Sequence, residues 1–376
     1  MKLIKKFFKY PLVIIFFGLI LICSCIDVLE PERAFSNVEN RSLAKFPKFT
    51  IEELFNNEYT AKYENYVNDQ FLFRDMWIGV KSRIEWLLLK TENNDILYGK
   101  DGYQFQKNYT IDNDQLTTNL NALNEFTQRN GSKVSVLIVP TASYVLSNKL
   151  TWNPPLFDED SLFDTIYENT NTANIIDIRK SLIQNKDDYI YYRTDHHWTT
   201  YGAYLAYQEY AYAKSFEPFD LSKHKAVNVD NFYGTHFSKS KLFNSTPDTL
   251  TFYDIDNTIQ VDDLEMPIYD RSKLNTIDKY ALFLYGNMGY ITVNGDENAN
   301  NSATINGKLL VIKDSYANSF VPFLTKNYSQ IDVVDFRFYN SNIGELLKNS
   351  DYDDILILYN SSTFAKDGNF AKILFE

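Results

Sequence analysis

The stretch "GKLLVIKDSYANSFVPFLTKN", residues 307–327, reads as a short apolar strand, a polar turn and a helix. Its apolar run is too short for a self-sufficient helix and gives way at once to Asp314 and Ser315, both favoured helix N-cap residues. The same alternation recurs in "KVSVLIVP" (133–140), "ANIIDIRKSLIQ" (173–184), "QIDVVDFRFYNSNIGELLKN" (330–349) and "DDILILYNSSTF" (353–364). A helix-like segment, "QLTTNLNALNEFTQRNG" (115–131), precedes the first of them. Short apolar strands alternating with helices predict an α/β domain with a parallel sheet flanked by helices.

In open α/β sheets, functional groups collect in loops at the carboxyl ends of the strands. Ser315 sits where a strand turns into a helix, its hydroxyl free to react and its N–H placed to stabilise an oxyanion. The plainer alternative is that Asp314 or Ser315 only caps the helix. Two neighbouring strands end at Asn360 and near Arg337, so a side-chain amide and backbone N–H groups there are candidates to complete an oxyanion hole with the Ser315 amide.

The chain has four histidines, and two stand together in "YYRTDHHWTTYGAY" (191–204). The apolar "YIYY" before them and Thr199 or Thr200 after them describe another strand-to-helix loop. Residues two apart in extended backbone point the same way, so Asp195 should meet His197 while His196 points aside as a spare. An aspartate that fixes the tautomer of one ring nitrogen leaves the other to face a serine hydroxyl. Asp195, His196 and His197 are also metal-ligand types, but no further His or Cys clusters nearby, and a serine triad needs no metal and no cofactor.

The first 26 residues, "MKLIKKFFKYPLVIIFFGLILICSCI", place Lys2, Lys5, Lys6 and Lys9 before an uncharged apolar run. This pattern predicts a signal peptide or membrane anchor over 1–30, with the lysines inside and the rest extracytoplasmic. Cys25 leaves a lipoprotein possible. Both cysteines, Cys23 and Cys25, lie in this segment, so disulfides and thiol chemistry are excluded from the remainder. Residues 31–93 read as an extended arm and helical stalk, and 94–376 as the α/β domain, with a β-rich insertion at 216–300 that is rich in Asn, Asp and Tyr. The formal net charge of −12 argues against nucleic acid as a partner.

"TDHHW" (194–198) resembles the signature of the DHHW proteins, which are similar to periplasmic alginate O-acetyltransferases of the AlgX and AlgJ type with a circularly permuted SGNH hydrolase-like core. "FSNVENRSLAKFP", "YVNDQFLFRD", "YGKDGYQF", "FYGTHFSKS", "FLYGN" and "KDSYAN" extend the resemblance over most of the chain. It implies that the family's aspartate and histidine fall on Asp195 and His197, its serine on Ser315, and its Asn block on the strand ending at Asn360. Permutation accounts for Asp195 and His197 preceding Ser315. Lys313 stands where a glycine often precedes the Asp-Ser pair, and no glycine follows the strand ending near Phe336. The implied activity is O-acetylation of a cell-surface or secreted polysaccharide, with Trp198 and insertion tyrosines as sugar-stacking groups and a membrane-bound O-acyltransferase as donor partner. A polysaccharide acetylesterase, or a scaffold component of a modification complex, is the alternative.

Overall fold

The computed structural model describes residues 10–36, 41–170, 172–296 and 307–375. The four N-terminal lysines, residues 37–40 of the "FSNVENRSLAKFP" block and the end of the 216–300 segment lie outside the described residues. The chain divides into two compact units: residues 1–90 with 241–244, and residues 91–240 with 245–376.

In the first unit the apolar run forms a helix, Pro11–Leu29, with proline in its first turn. Most of its large apolar side chains are exposed. Among the described residues, no helix is long and apolar enough to cross a membrane. Three helices follow, Ile51–Phe55, Glu58–Gln70 and Arg74–Leu87. The buried Asp69 carboxylate ties the helix Glu58–Gln70 to the arm before it, accepting from the Arg41 guanidinium and from the Ala44 N–H at 2.8 Å.

The second unit is organised by one eight-stranded sheet. Its strands are β1 Val134–Val139, β2 Asn174–Ile175, β3 Thr258–Val261, β4 Leu264–Pro267, β5 Tyr290–Asn294, β6 Lys308–Lys313, β7 Gln330–Val334 and β8 Asp354–Asn360. Across the sheet the order is β4-β3-β5-β7-β6-β8-β1-β2. From β7 to β2 every pairing is parallel, whereas β5, β3 and β4 add to the β7 edge antiparallel. The predicted parallel sheet is therefore mixed, and much of the expected insertion forms its edge. A separate hairpin pairs Ala226–Phe232 with Asp248–Tyr253.

The central strands are mostly apolar because both faces are covered. Successive residues alternate between two cores. Leu137, Val139, Leu309, Val311, Leu356 and Leu358 face a core shared with helix α3, Thr200–Ala213. Val136, Ile138, Leu310, Ile312, Ile355 and Ile357 face the other, with helices α1, Asn113–Asn130, and α2, Glu159–Glu168. Capping sets the helix starts: Asp112 accepts from Asp114 and Gln115 N–H ahead of α1, and Thr199 from Gly202 N–H ahead of α3. Gly131, at φ 61°, ends α1 in a backbone region that glycine enters without strain. The expected "YIYY" strand is reduced to a single bridge, Tyr191 to Trp198, which closes the loop carrying the two histidines.

Candidate active site

The turn after β6 begins a 3-10 segment, Ser315–Ser319, rather than an α-helix. Asp314 caps it, accepting from Tyr316 N–H at 2.9 Å, while its second oxygen accepts from Asn360 N–H at 2.8 Å. One carboxylate thus joins the ends of the adjacent strands β6 and β8. Capping and reactivity are not alternatives here, because Asp314 does the first and leaves Ser315 free for the second.

Ser315 Oγ lies 2.7 Å from His197 Nε2, and His197 Nδ1 lies 2.5 Å from Asp195 Oδ1. Asp195 can only accept, so Nδ1 carries the proton and Nε2 faces the serine with its lone pair. The other contacts to Asp195 complete its ligation: Oδ1 accepts from His197 N–H at 3.0 Å, and Oδ2 from Thr235 N–H at 2.8 Å and the Thr235 hydroxyl at 3.1 Å. Burial opposes the charge on Asp195, but His197 and these hydrogen bonds outweigh it and hold the carboxyl well below the usual range. Gly234 makes the close approach possible, since a Cβ at that position would fall 2.2 Å from Asp195 Oδ2.

Tyr280, from the β-rich segment, lies against the other side of the imidazole with ring centroids 3.9 Å apart and planes 9° apart. Its hydroxyl donates to the Ser315 carbonyl oxygen at 3.1 Å. Neither Tyr280 nor Thr235 was identifiable as a site residue from the sequence alone. "FYGTHFSKS" marked the neighbourhood of Thr235, and "FLYGN" lies just beyond Tyr280.

The remaining expected residues are placed less uniformly. His196 does not point aside: its ring centroid is 3.8 Å from that of His197, and it lines a cleft of about 280 Å³ with Tyr316, Asn360, Thr141 and Ser143. Asn360 caps the helix after β8, accepting from Ser362 N–H, and its Nδ2 donates to Val139 O at 3.0 Å. That leaves one amide proton at the cleft wall. Trp198 is not available to a sugar. Its indole is fully buried and donates to Tyr316 O at 3.0 Å and Ser319 Oγ at 3.1 Å, which braces the serine turn from beneath.

Arg337 is likewise committed elsewhere. Its N–H and its Nε both bind Asp335 Oδ1, at 3.2 and 2.8 Å. Lys313, in the position where a glycine often stands, is buried with Nζ 2.6 Å from Asn318 Oδ1 and 3.4 Å from Asp335. A buried ammonium needs a paired carboxylate, and Asp335 serves both cations. The Arg337 backbone N–H, Nε and one Nη are thus taken by Asp335 and are not left to hold an oxyanion.

Asp195, His196 and His197 also place ligand-type atoms within 4.8 Å of one another. Both Asp195 oxygens and both His197 ring nitrogens are already engaged in the hydrogen bonds above, so a cation would have to break the Asp-His-Ser chain to bind.

Comparison with known proteins agrees with this architecture. A DHHW family protein from Eubacterium siraeum superposes with a TM-score of 0.63 at 23% identity, over 75% of this chain and 95% of that one. Bacillus cereus PatB1 gives 0.60 at 19% identity, over 75% and 99%, and the same protein with a sulfonyl adduct gives 0.61 at 18%, over 75% and 98%. The fold is thus the α/β architecture of these solved structures. No curated protein matches the chain. With the family model for DHHW protein matching residues 97–334, through the end of β7, the chain belongs to the DHHW protein family.

Proposed function

We propose that the protein is an extracytoplasmic O-acyltransferase that places acetyl groups on hydroxyls of a cell-surface or secreted polysaccharide. The observation that carries this reading is the continuous hydrogen-bond chain from Asp195 through His197 to Ser315 Oγ. His197 removes the serine proton as Oγ attacks the acyl carbonyl, Asp195 holds the imidazole in the required tautomer, and the proton passes to the departing donor group. The Ser315 N–H has no acceptor among the described residues. With the free Asn360 amide proton it forms the oxyanion site. A sugar hydroxyl then attacks the acetyl-serine, losing its proton to His197, which returns it to Oγ. The sulfonyl adduct of PatB1 supports the reading, because sulfonylation is a reaction of activated nucleophiles.

The location is inferred from the lysines before the apolar run and from the exposed apolar helix Pro11–Leu29. A membrane-bound O-acyltransferase as donor rests on the family resemblance. The decisive experiment incubates full-length protein with an activated acetyl ester and methyl hexosides, then follows both acetyl-enzyme and acetylated sugar by mass spectrometry. Acetylated sugar formed by the wild type and lost in Ser315→Ala is the expected result. Acetate alone, whatever the acceptor, would make the protein an esterase.

A further inference from the structure

His196 is the one cleft-lining imidazole whose orientation is fixed by the triad itself. The Thr235 hydroxyl donates its proton to Asp195 Oδ2, so its oxygen is left to accept, and His196 Nδ1 lies 2.7 Å from it. Nδ1 therefore carries the His196 proton, and Nε2 carries a lone pair. Nothing among the described residues donates to that lone pair. The ring is half-buried and lies beside His197, on the wall that also holds Tyr316 and Asn360. Asp195 thus sets the tautomer of two imidazoles, one directly and one through Thr235, and both present an acceptor nitrogen.

We propose that the acceptor is a vicinal diol, with His197 taking the proton of the hydroxyl that is acetylated and His196 Nε2 accepting a hydrogen bond from the hydroxyl on the adjacent carbon. This rests on the transferase reading above and names its substrate class. The step balances as follows: the sugar oxygen forms a bond to the acetyl carbon, the bond from that carbon to Ser315 Oγ breaks, and the proton moves from sugar to His197 to Oγ. His196 exchanges no proton and serves to position the acceptor. Burial and the neighbouring His197 hold its imidazole well below the usual range, so it remains neutral and able to accept. The cleft lining contains Lys239 but no carboxylate, so neutral and acidic sugars both fit.

The test measures the ratio of acetyl transfer to hydrolysis with a methyl hexoside and with its monodeoxy analogues, using full-length wild type, His196→Ala and His196→Gln. In the wild type, removing the hydroxyl adjacent to the acetylated one should lower the ratio about tenfold or more, the size expected for one lost directed hydrogen bond. His196→Ala should lower the ratio for the diol and abolish the discrimination between diol and deoxy sugar, and His196→Gln, which retains an acceptor, should restore part of it. A wild type indifferent to the adjacent hydroxyl overturns the proposal without any variant having to fold, and so does discrimination that persists in His196→Ala. Absence of transfer to every acceptor fails the transferase reading itself, a distinct result that also ends the proposal.

Discussion

Tyr280 lies flat on the His197 imidazole while its hydroxyl reaches the carbonyl oxygen of Ser315. A residue far from both in sequence therefore fixes the plane of the His197 imidazole and the turn that carries Ser315. Tyr280→Ala should let the imidazole leave the serine and lower kcat on an activated acetyl ester by roughly 10²-fold. Tyr280→Phe keeps the stacking surface and should cost less than about tenfold. Equal losses in the two variants would mean that the hydroxyl, not the ring, carries the effect.

Replacing Ser315 or His197 with alanine should each reduce ester turnover by ~10³-fold or more, and the double variant should be little worse, since the two act as a unit. A sulfonyl fluoride should inactivate the wild type and label the peptide containing Ser315. Labelling elsewhere with full loss of activity would remove Ser315 from the mechanism.

Gly234→Ala brings a methyl group into the Asp195 carboxylate. The expected cost is about 1–3 kcal/mol of stability, with a fall in kcat larger than any change in KM. Denaturant unfolding and steady-state kinetics on the same preparation would check both. An unchanged variant would show that the loop can give way and that the close fit is not required.

Chelation should leave ester cleavage intact, because the Asp195 and His197 atoms that could bind a cation are engaged with one another and with Ser315. Activity lost with EDTA and recovered with zinc or manganese would favour the metal arrangement instead.

His236 is buried, donates through Nδ1 to Gln104 O at 2.9 Å, and leaves Nε2 without a partner among the described residues. Burial pushes its pKa down to about 4; nearby Asp195 opposes the shift, whereas Lys239 and His197 add to it. Below pH 6.5 the unfolded chain binds a proton that the folded chain refuses until about pH 4, so stability is complete above this window and falls within it as pH drops. The full loss is on the order of 3 kcal/mol at 1.36 kcal/mol per unit. Denaturant titrations at pH 7 and pH 5 should show wild type losing more stability than His236→Gln. Comparing the two removes the contributions of His196, Glu159 and Asp314, which also titrate with shifted values. Parallel losses would place the acid sensitivity elsewhere.

The strand-to-turn pattern made Ser315, Asn360 and the Asp195–His197 pair visible in the sequence because each is a local signal: an apolar run, a capping residue, a two-residue spacing. What crosses the sheet was not visible. Nothing near Trp198 shows that its indole is buried under the serine turn, and nothing near Arg337 shows that Asp335 binds its N–H, its Nε and one Nη. The antiparallel edge was equally hidden. Tyr290–Asn294 alternates between buried and less buried positions as any edge strand does, and only its pairing with Gln330–Val334 decides that it belongs to the main sheet. His196 was misjudged for a related reason. The extended-backbone rule sent it away from His197, yet the loop closes on itself through the Tyr191 bridge and brings the rings together.

Strand β8 lies between β6 and β1, so the two halves of the parallel sheet meet only through this one strand. A folding chain in which β8 has not docked lacks the piece that joins β6 to β1, and Asp314 is without the Asn360 N–H that it holds. Such long-range closure folds slowly compared with local pairing. The Ser315 turn should therefore gain its tie to Asn360 only when β8 docks between β6 and β1, late relative to local pairing.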